Sequence, residues 1–173
     1  QYQLDAVSQA LTIINSPDTP NGLIVSDVVG LGKSVIASLI AKNLGKRGVI
    51  ICPPGLIGDE NKRSGWKKYK EDFELHDWEI RACGLENLER TLELLKENSE
   101  YEVIIVDEVH RFRNQDTEAY ETLSNICRDK IVILLSATPF SNTPADIFSL
   151  LKLFVVPGKS KISLDDDLAS RFR

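Results

Sequence analysis

Five short apolar runs alternate with segments of helical character along this chain of 173 residues. The runs are rich in Ile, Val and Leu, as expected of strands that are buried on both faces. We predict strands at Leu23–Ser26, Val49–Cys52, Glu79–Ala82, Val103–Val106 and Ile131–Leu135. We predict helices at Leu4–Ile14, Lys33–Leu44, Ile57–Lys70, Leu85–Asn98, Thr117–Cys127 and Ala145–Phe154. The alternation indicates right-handed β-α-β units, and therefore an α/β fold whose mostly parallel sheet carries helices on both faces.

Length and composition limit the domain count and the class of protein. With 42% hydrophobic residues the chain is long enough for one sizeable core, so we expect residues 1–173 to form a single domain. No apolar stretch approaches the length of a membrane span, and three scattered cysteines predict reduced thiols, which together indicate a cytoplasmic protein without a membrane partner. Because the chain lacks an initiator Met and ends without a clear helix stop, we expect it to be part of a longer protein.

A glycine-rich turn follows the first predicted strand and opens the next helix. Its sequence, SDVVGLGKS, contains Gly30, Gly32, Lys33 and Ser34 at the spacing of a phosphate-binding loop, with Asp27 where the first glycine usually stands. Backbone N–H groups of such a turn wrap phosphates, Lys33 can bridge the β- and γ-phosphates, and Ser34 can offer its hydroxyl to Mg²⁺. The alternative is an ordinary glycine-rich connection between a strand and a helix.

Two adjacent acids end the fourth predicted strand in the segment VIIVDEVH. Asp107 can hold Mg²⁺ through water, and Glu108 can orient and deprotonate an attacking water molecule. We interpret His110 as a residue that couples this site to the rest of the domain, since zinc binding finds little support when the only other histidine is His76. The alternative for the acids is a pair of surface residues. The two segments together predict an ATP-hydrolysing site with ATP and Mg²⁺ as its cofactors.

Several segments, in this order, resemble the first RecA-like lobe of helicase superfamily two. They are Tyr2–Gln3, DVVGLGKS, VIICPPGLIGDENKRSGWKKY, VDEVHRFRN and LLSATPFSNTPADIFSLLKLF, and they cover nearly the whole chain. Their details are similar to the SWI/SNF-type ATPases, which translocate on double-stranded DNA. Val28, Val109 and Phe112–Arg113 depart from that family's usual residues, which indicates a divergent, bacterial branch.

The resemblance implies specific roles for single residues. Gln3 reads the adenine edge, and Lys33, Asp107 and Glu108 are the catalytic residues. The residues implied in ATP binding are Gln3, Asp27, Gly30, Leu31, Gly32, Lys33 and Ser34. The residues implied in coupling hydrolysis to movement are His110, Arg111, Ser136, Ala137 and Thr138.

The same resemblance implies double-stranded DNA and a second RecA-like lobe of the parent chain as partners. We expect DNA contacts from the loop after the second strand and from a basic cluster around Trp66, namely Pro53, Pro54, Gly55, Lys62, Arg63, Lys67 and Lys68. The alternative for the basic cluster is a solvated cationic helix face, with Trp66 packed in the core. The net charge of −5 gives no broad basic field to support this. Two alternatives remain, a strand-separating helicase lobe that acts on RNA or single-stranded DNA, and a non-catalytic nucleotide-sensing module.

Overall fold

The computed structural model describes residues 2–15, 21–26, 32–114, 116–136 and 144–154, without the side chains of residues 2–4, 146 and 147. Five strands form one sheet: β1 (Gly22–Ser26), β2 (Arg47–Cys52), β3 (Glu79–Ala82), β4 (Tyr101–Val106) and β5 (Ile131–Ser136). The helices are α1 (Tyr2–Asn15), α2 (Lys33–Leu44), α3 (Gly65–Asp72), α4 (Leu85–Glu97), α5 (Glu118–Cys127) and α6 (Pro144–Leu151). Short 3-10 turns lie at Pro54–Leu56 and Val109–Phe112.

The sheet is parallel throughout, with the strand order β1-β5-β4-β2-β3. Successive side chains of a strand point to opposite faces, and β4 shows this clearly. Val103 and Ile105 belong to the core shared with α1 and α2, whereas Ile104 and Val106 belong to the core shared with α4 and α5. The sheet is therefore covered by helices on both faces, which confirms the predicted α/β class.

Most element bounds agree with the sequence-based prediction to within two residues, but one predicted helix is wrong. The segment Ile57–Lys70 is helical only from the start of α3. Gly58 has a φ of 108° and Gly65 a φ of 61°, and this left-handed backbone cannot continue a right-handed helix. A Cβ on Gly58 would lie 2.1 Å from the carbonyl oxygen of Ser64. The two glycines thus fold the segment into a compact loop ahead of α3.

The last predicted helix, Ala145–Phe154, also ends earlier than expected. The helix begins at Pro144 and closes at Leu151. Beyond it, the N–H groups of Leu153 and Phe154 bond to carbonyls three residues earlier, at 3.2 and 3.1 Å. This tighter pattern is typical of a helix end whose last carbonyls must find partners.

The three cysteines are free thiols, and burial raises the pKa of Cys52 and of Cys127 to about 12. Both thiols are therefore protonated at neutral pH.

None of the helices in the described ranges has the length and apolarity needed to cross a bilayer.

Gly48 in β2 packs closely against the backbone of β4 and the ring of Trp78. A Cβ at this position would lie 2.3 Å from the carbonyl oxygen of Val103 and 2.6 Å from the ring of Trp78. The register between β2 and β4 also shifts beside it, between Arg47 and Gly48. No side chain fits there without displacing backbone.

We expect Gly48→Ala to lower the free energy of unfolding by about 3 kcal/mol, because overpacking of a core moves backbone as well as side chains. The matched control is Gly55→Ala, where a Cβ meets no atom within 4 Å. We expect that control to stay within about 0.5 kcal/mol of the parent in urea unfolding. Equal stability of the two variants would contradict the close approach at Gly48.

Candidate nucleotide site

The carboxyl ends of the parallel strands meet at one edge of the sheet, and the predicted catalytic segments lie there. Lys33 and Ser34 open α2 after β1, Asp107 follows β4, and β5 lies between these two strands. In open α/β sheets ligands bind at this edge, outside the carboxyl ends of the strands.

The start of α2 presents backbone donors toward this edge. Gly32 is the N-cap residue with a left-handed φ of 91°, and its carbonyl accepts the Ile36 N–H at 2.9 Å. The first N–H groups of a helix have no partner within it, and the helix dipole favours negative charge at this end. Lys33 and Ser34 are half-buried at this helix start. The arrangement suits a phosphate group.

Asp107 is a nearly buried carboxylate that continues the alternation of β4 on the α2 side of the sheet. Its N–H donates to the Ile51 carbonyl at 2.8 Å, which ties it to β2. Burial raises the pKa of the Asp107 carboxyl, while hydrogen bonds from Trp66 and Glu108 and the positive charge of Lys33 oppose that rise. The structure therefore brings Lys33 and Asp107 within electrostatic range of each other.

Glu108 leaves the sheet in a left-handed backbone conformation, with a φ of 50° and a ψ of 45°. Non-glycine residues adopt this conformation rarely, and it is often found at functional sites. The Glu108 N–H donates to Asp107 Oδ1 at 2.8 Å, and its carboxylate lies 3.5 Å from Arg111 Nε. The Glu108 side chain is 40% exposed, so water can reach it, whereas Asp107 is enclosed. The two adjacent acids thus occupy different environments.

Two buried polar atoms near this edge lack partners among the described residues. They are His110 Nδ1 and Ser136 Oγ, and Ser136 is fully buried at the end of β5. Buried polar groups are nearly always hydrogen-bonded, so each orphan atom calls for an explanation. Both belong to the predicted coupling set.

The segment after the acids is anchored to α5 and α6. Ser149 Oγ donates to the Arg113 carbonyl at 2.6 Å, and Tyr120 Oη donates to the Ser149 carbonyl. Both side chains are buried, and burial raises the pKa of Tyr120 to about 12. The segment that follows His110 and Arg111 is therefore joined to α6 by a hydrogen bond.

Some predicted site residues lie outside the described part of the chain. These are Asp27, Gly30, Leu31, Ala137 and Thr138, together with the side chain of Gln3. Their assigned roles remain predictions.

Trp66 lies in the core and not on the surface beside the basic residues that flank it in sequence. The sequence grouped it with the basic cluster, but only 1% of the residue is exposed, and its Nε1 donates to Asp107 Oδ2 at 2.9 Å. The position of Trp66 between cationic residues gave no signal of this contact. A buried indole N–H usually has a hydrogen-bond acceptor, but the acceptor of Trp66 cannot be identified from the sequence.

The predicted DNA-contacting residues are divided between exposed, buried and paired positions. Pro54 and Gly55 are exposed after β2, whereas Pro53 is buried. Arg63 is exposed and makes no ion pair within the described ranges. The three lysines of the cluster pair with acids: Lys62–Glu71 at 3.2 Å, Lys67–Glu60 at 2.9 Å and Lys68–Asp72 at 2.6 Å. These pairs reduce the positive charge available to phosphates.

Comparison with solved structures supports the fold. The SWI2/SNF2 ATPase core from Sulfolobus solfataricus in complex with dsDNA matches with a TM-score of 0.65 at 18% identity, over 88% of this chain and 35% of that one. The Pyrococcus furiosus Hef helicase domain matches with a TM-score of 0.57 at 22% identity, over 88% of this chain and 36% of that one. These likenesses confirm the predicted RecA-like fold.

Sequence comparison identifies the family. The uncharacterized ATP-dependent helicase YqhH of Bacillus subtilis (strain 168) is 30% identical, over 88% of this chain and 28% of that protein. Mouse chromodomain-helicase-DNA-binding protein 1-like is 31% identical, over 87% of this chain and 19% of that protein. The chain thus spans less than a third of the length of these relatives. The family model described as the SNF2-related domain matches residues 55–163, more than half of the chain. The chain therefore belongs to the SNF2-related domain family.

Proposed function

We propose that this chain is the ATP-binding first lobe of a DNA-dependent ATPase that uses ATP hydrolysis to move along duplex DNA. The observation that carries the proposal is that the start of α2, with Lys33, and the buried Asp107 that follows β4 lie at the same carboxyl edge of the sheet. A cation and a carboxylate at the edge where such sheets bind ligands suit a triphosphate with its metal ion. Membership of the SNF2-related domain family supports the same reading.

The donor set fits Mg²⁺. Asp107 and Ser34 supply hard oxygen donors, which Mg²⁺ prefers, and each Asp107 oxygen accepts one hydrogen bond from the protein and keeps capacity for another contact. Bound there with ATP, Mg²⁺ would supply positive charge to offset the charge on the phosphates during phosphoryl transfer. In this proposal Asp107 and Ser34 hold the metal, and Lys33 stabilises the phosphates.

Glu108 is the proposed general base. It combines water access with a position next to the metal carboxylate, so it can orient a water molecule and take its proton. Arg111 stands close to the Glu108 carboxylate and can hold it until the nucleotide site is complete. The arginines that stabilise the transition state come from a second lobe of the parent protein.

The exposed loop after β2 is the proposed contact with a DNA strand. Pro54 and Gly55 lie at the same edge of the sheet as the nucleotide site, and backbone groups there are accessible to phosphates. Arg63 adds an exposed charge close by in sequence, and it pairs with no acid in the part of the chain that the structure describes. The three paired lysines contribute less, because each must exchange an acidic partner for a phosphate.

We expect Glu108→Gln in the full-length protein to reduce DNA-stimulated ATP hydrolysis at least about 100-fold. The amide cannot accept the proton of the attacking water, but it has nearly the same size and shape as the carboxylate. Nucleotide affinity, measured by fluorescent ATP binding, should change by less than a few-fold. Glu118→Gln on the exposed start of α5 is the matched control and should hydrolyse ATP like the parent. Undiminished hydrolysis by Glu108→Gln would remove the catalytic assignment, and undiminished biological function would favour a nucleotide-sensing module.

We expect duplex DNA to stimulate the full-length ATPase more than RNA or single-stranded DNA does. Gly55→Glu should weaken duplex binding several-fold in fluorescence anisotropy, because it adds a negative charge where DNA phosphates are to approach. Its fold should be intact, since that position is open. Gly55→Gln, which adds a side chain of the same length without the charge, is the matched control and should bind duplex DNA like the parent. Preferential stimulation by RNA or single-stranded DNA would favour the strand-separating alternative.

We expect the isolated 173 residues to bind nucleotide weakly and to hydrolyse it slowly or not at all. The reason is that the proposed mechanism needs arginines from a second lobe closing over ATP. Single-turnover hydrolysis with and without duplex DNA measures this. Robust DNA-stimulated hydrolysis by the isolated chain would show that no second lobe is required.

A further inference from the structure

We infer that Trp66 is a positioning residue that fixes the Asp107 carboxylate for metal binding and joins it to the start of α3. This inference rests on the proposed function, since it assigns Asp107 to the Mg²⁺ site. Nothing in the nucleotide-binding segments themselves accounts for a buried tryptophan 41 residues away from the acid that it contacts.

The Asp107 carboxylate is held at both oxygens. Trp66 Nε1 donates to Oδ2 at 2.9 Å, and the Glu108 N–H donates to Oδ1 at 2.8 Å. The Asp107 N–H is itself fixed by its bond to the Ile51 carbonyl at 2.8 Å. With donors on both sides, the plane of the carboxylate is set before any cation arrives. Such outer partners orient a metal ligand and affect its affinity for the metal.

The indole is as firmly held as the carboxylate. Trp66 is packed in the core shared by α1, α2 and the sheet, and its ring meets Tyr69 edge to face at a centroid distance of 5.6 Å. The left-handed Gly65 starts α3 immediately before it. The Lys67 N–H then bonds to the Ile57 carbonyl at 2.8 Å, which ties α3 to the preceding loop. Through its hydrogen bond, Trp66 therefore links the Asp107 carboxylate to this loop and to α3.

Loss of the indole N–H leaves Asp107 Oδ2 buried without that donor. An enclosed carboxylate that loses a donor rotates or recruits water, and its orientation toward the metal is then no longer fixed. Loss of an outer partner of this kind typically costs about 10- to 100-fold in metal affinity. We therefore expect Trp66→Phe to weaken metal binding about 10-fold.

The chain provides a matched control in its other tryptophan. Trp78 is 4% exposed, lies in the same core cluster, and donates its Nε1 to the Lys46 carbonyl at 3.1 Å. Trp78→Phe removes the same atoms and one buried N–H bond, but at the opposite end of the sheet from Asp107. The two variants thus share their packing loss and differ in the group that loses a donor.

The experiment measures Mn²⁺ binding to the full-length protein with saturating ADP by electron paramagnetic resonance, alongside the Mg²⁺ dependence of ATP hydrolysis. Trp66→Phe should bind Mn²⁺ about 10-fold more weakly and need correspondingly more Mg²⁺ for hydrolysis, with activity recovering at high Mg²⁺. Trp78→Phe should match the parent in both. Circular dichroism and thermal unfolding verify that both variants are folded.

A double-variant comparison keeps the inference testable when Trp66→Phe loses stability. In an Asp107→Asn background, Trp66→Phe should weaken Mn²⁺ binding no further, because the group that it positions is gone. Additive losses, or equal losses in Trp66→Phe and Trp78→Phe, would overturn the inference. Normal Mn²⁺ binding by Trp66→Phe combined with weak binding by Asp107→Asn would overturn it while leaving the proposed function intact. Normal binding by Asp107→Asn would overturn both.

Discussion

The parallel register of the sheet is the constraint on which the rest of this structure depends. Because all five strands run in the same direction, the chain leaves the sheet at one common edge after β1, β4 and β5. Residues far apart in sequence, such as Lys33 and Asp107, are thereby placed at the same end of adjacent or nearly adjacent strands. The helices on both faces bury the strands and leave this edge as the place where polar side chains can gather.

The chemistry at that edge depends on two carboxylates in different surroundings. Asp107 is enclosed, and burial raises the pKa of its carboxyl, while two hydrogen bonds and the positive charge of Lys33 oppose that rise. Glu108 turns outward through a left-handed backbone and keeps contact with water. A metal-holding acid benefits from fixed orientation, whereas a water-activating acid needs access, so adjacent residues can serve separate tasks. Hydrogen bonds through Ser149 and Tyr120 connect the segment that follows these acids to α6 and α5.

The features that could be predicted from the sequence are those determined by residues close together in the chain. Apolar runs of Ile, Val and Leu located β1, β2, β4 and β5, and the predicted bounds of α2 and β3 were correct to the residue. The predicted helix at Ile57–Lys70 failed because its helical composition is overridden by left-handed glycines whose positive φ angles depend on contacts with distant backbone. The Lys68–Asp72 pair follows i,i+4 spacing within α3, so its cause is local. The Lys62–Glu71 and Lys67–Glu60 pairs depend on the shape of the loop that precedes α3, which no local pattern shows.

The sequence by itself determined the fold class, the family resemblance and the identity of the candidate site residues, because strand periodicity and phosphate-loop spacing are local properties of the chain. Only the tertiary structure decided that Trp66 faces inward to Asp107 and not outward with its cationic neighbours. The physical reason is that a buried indole N–H and a buried carboxylate each need a partner, and the packing of α3 against the sheet, which no local pattern encodes, makes them partners of each other.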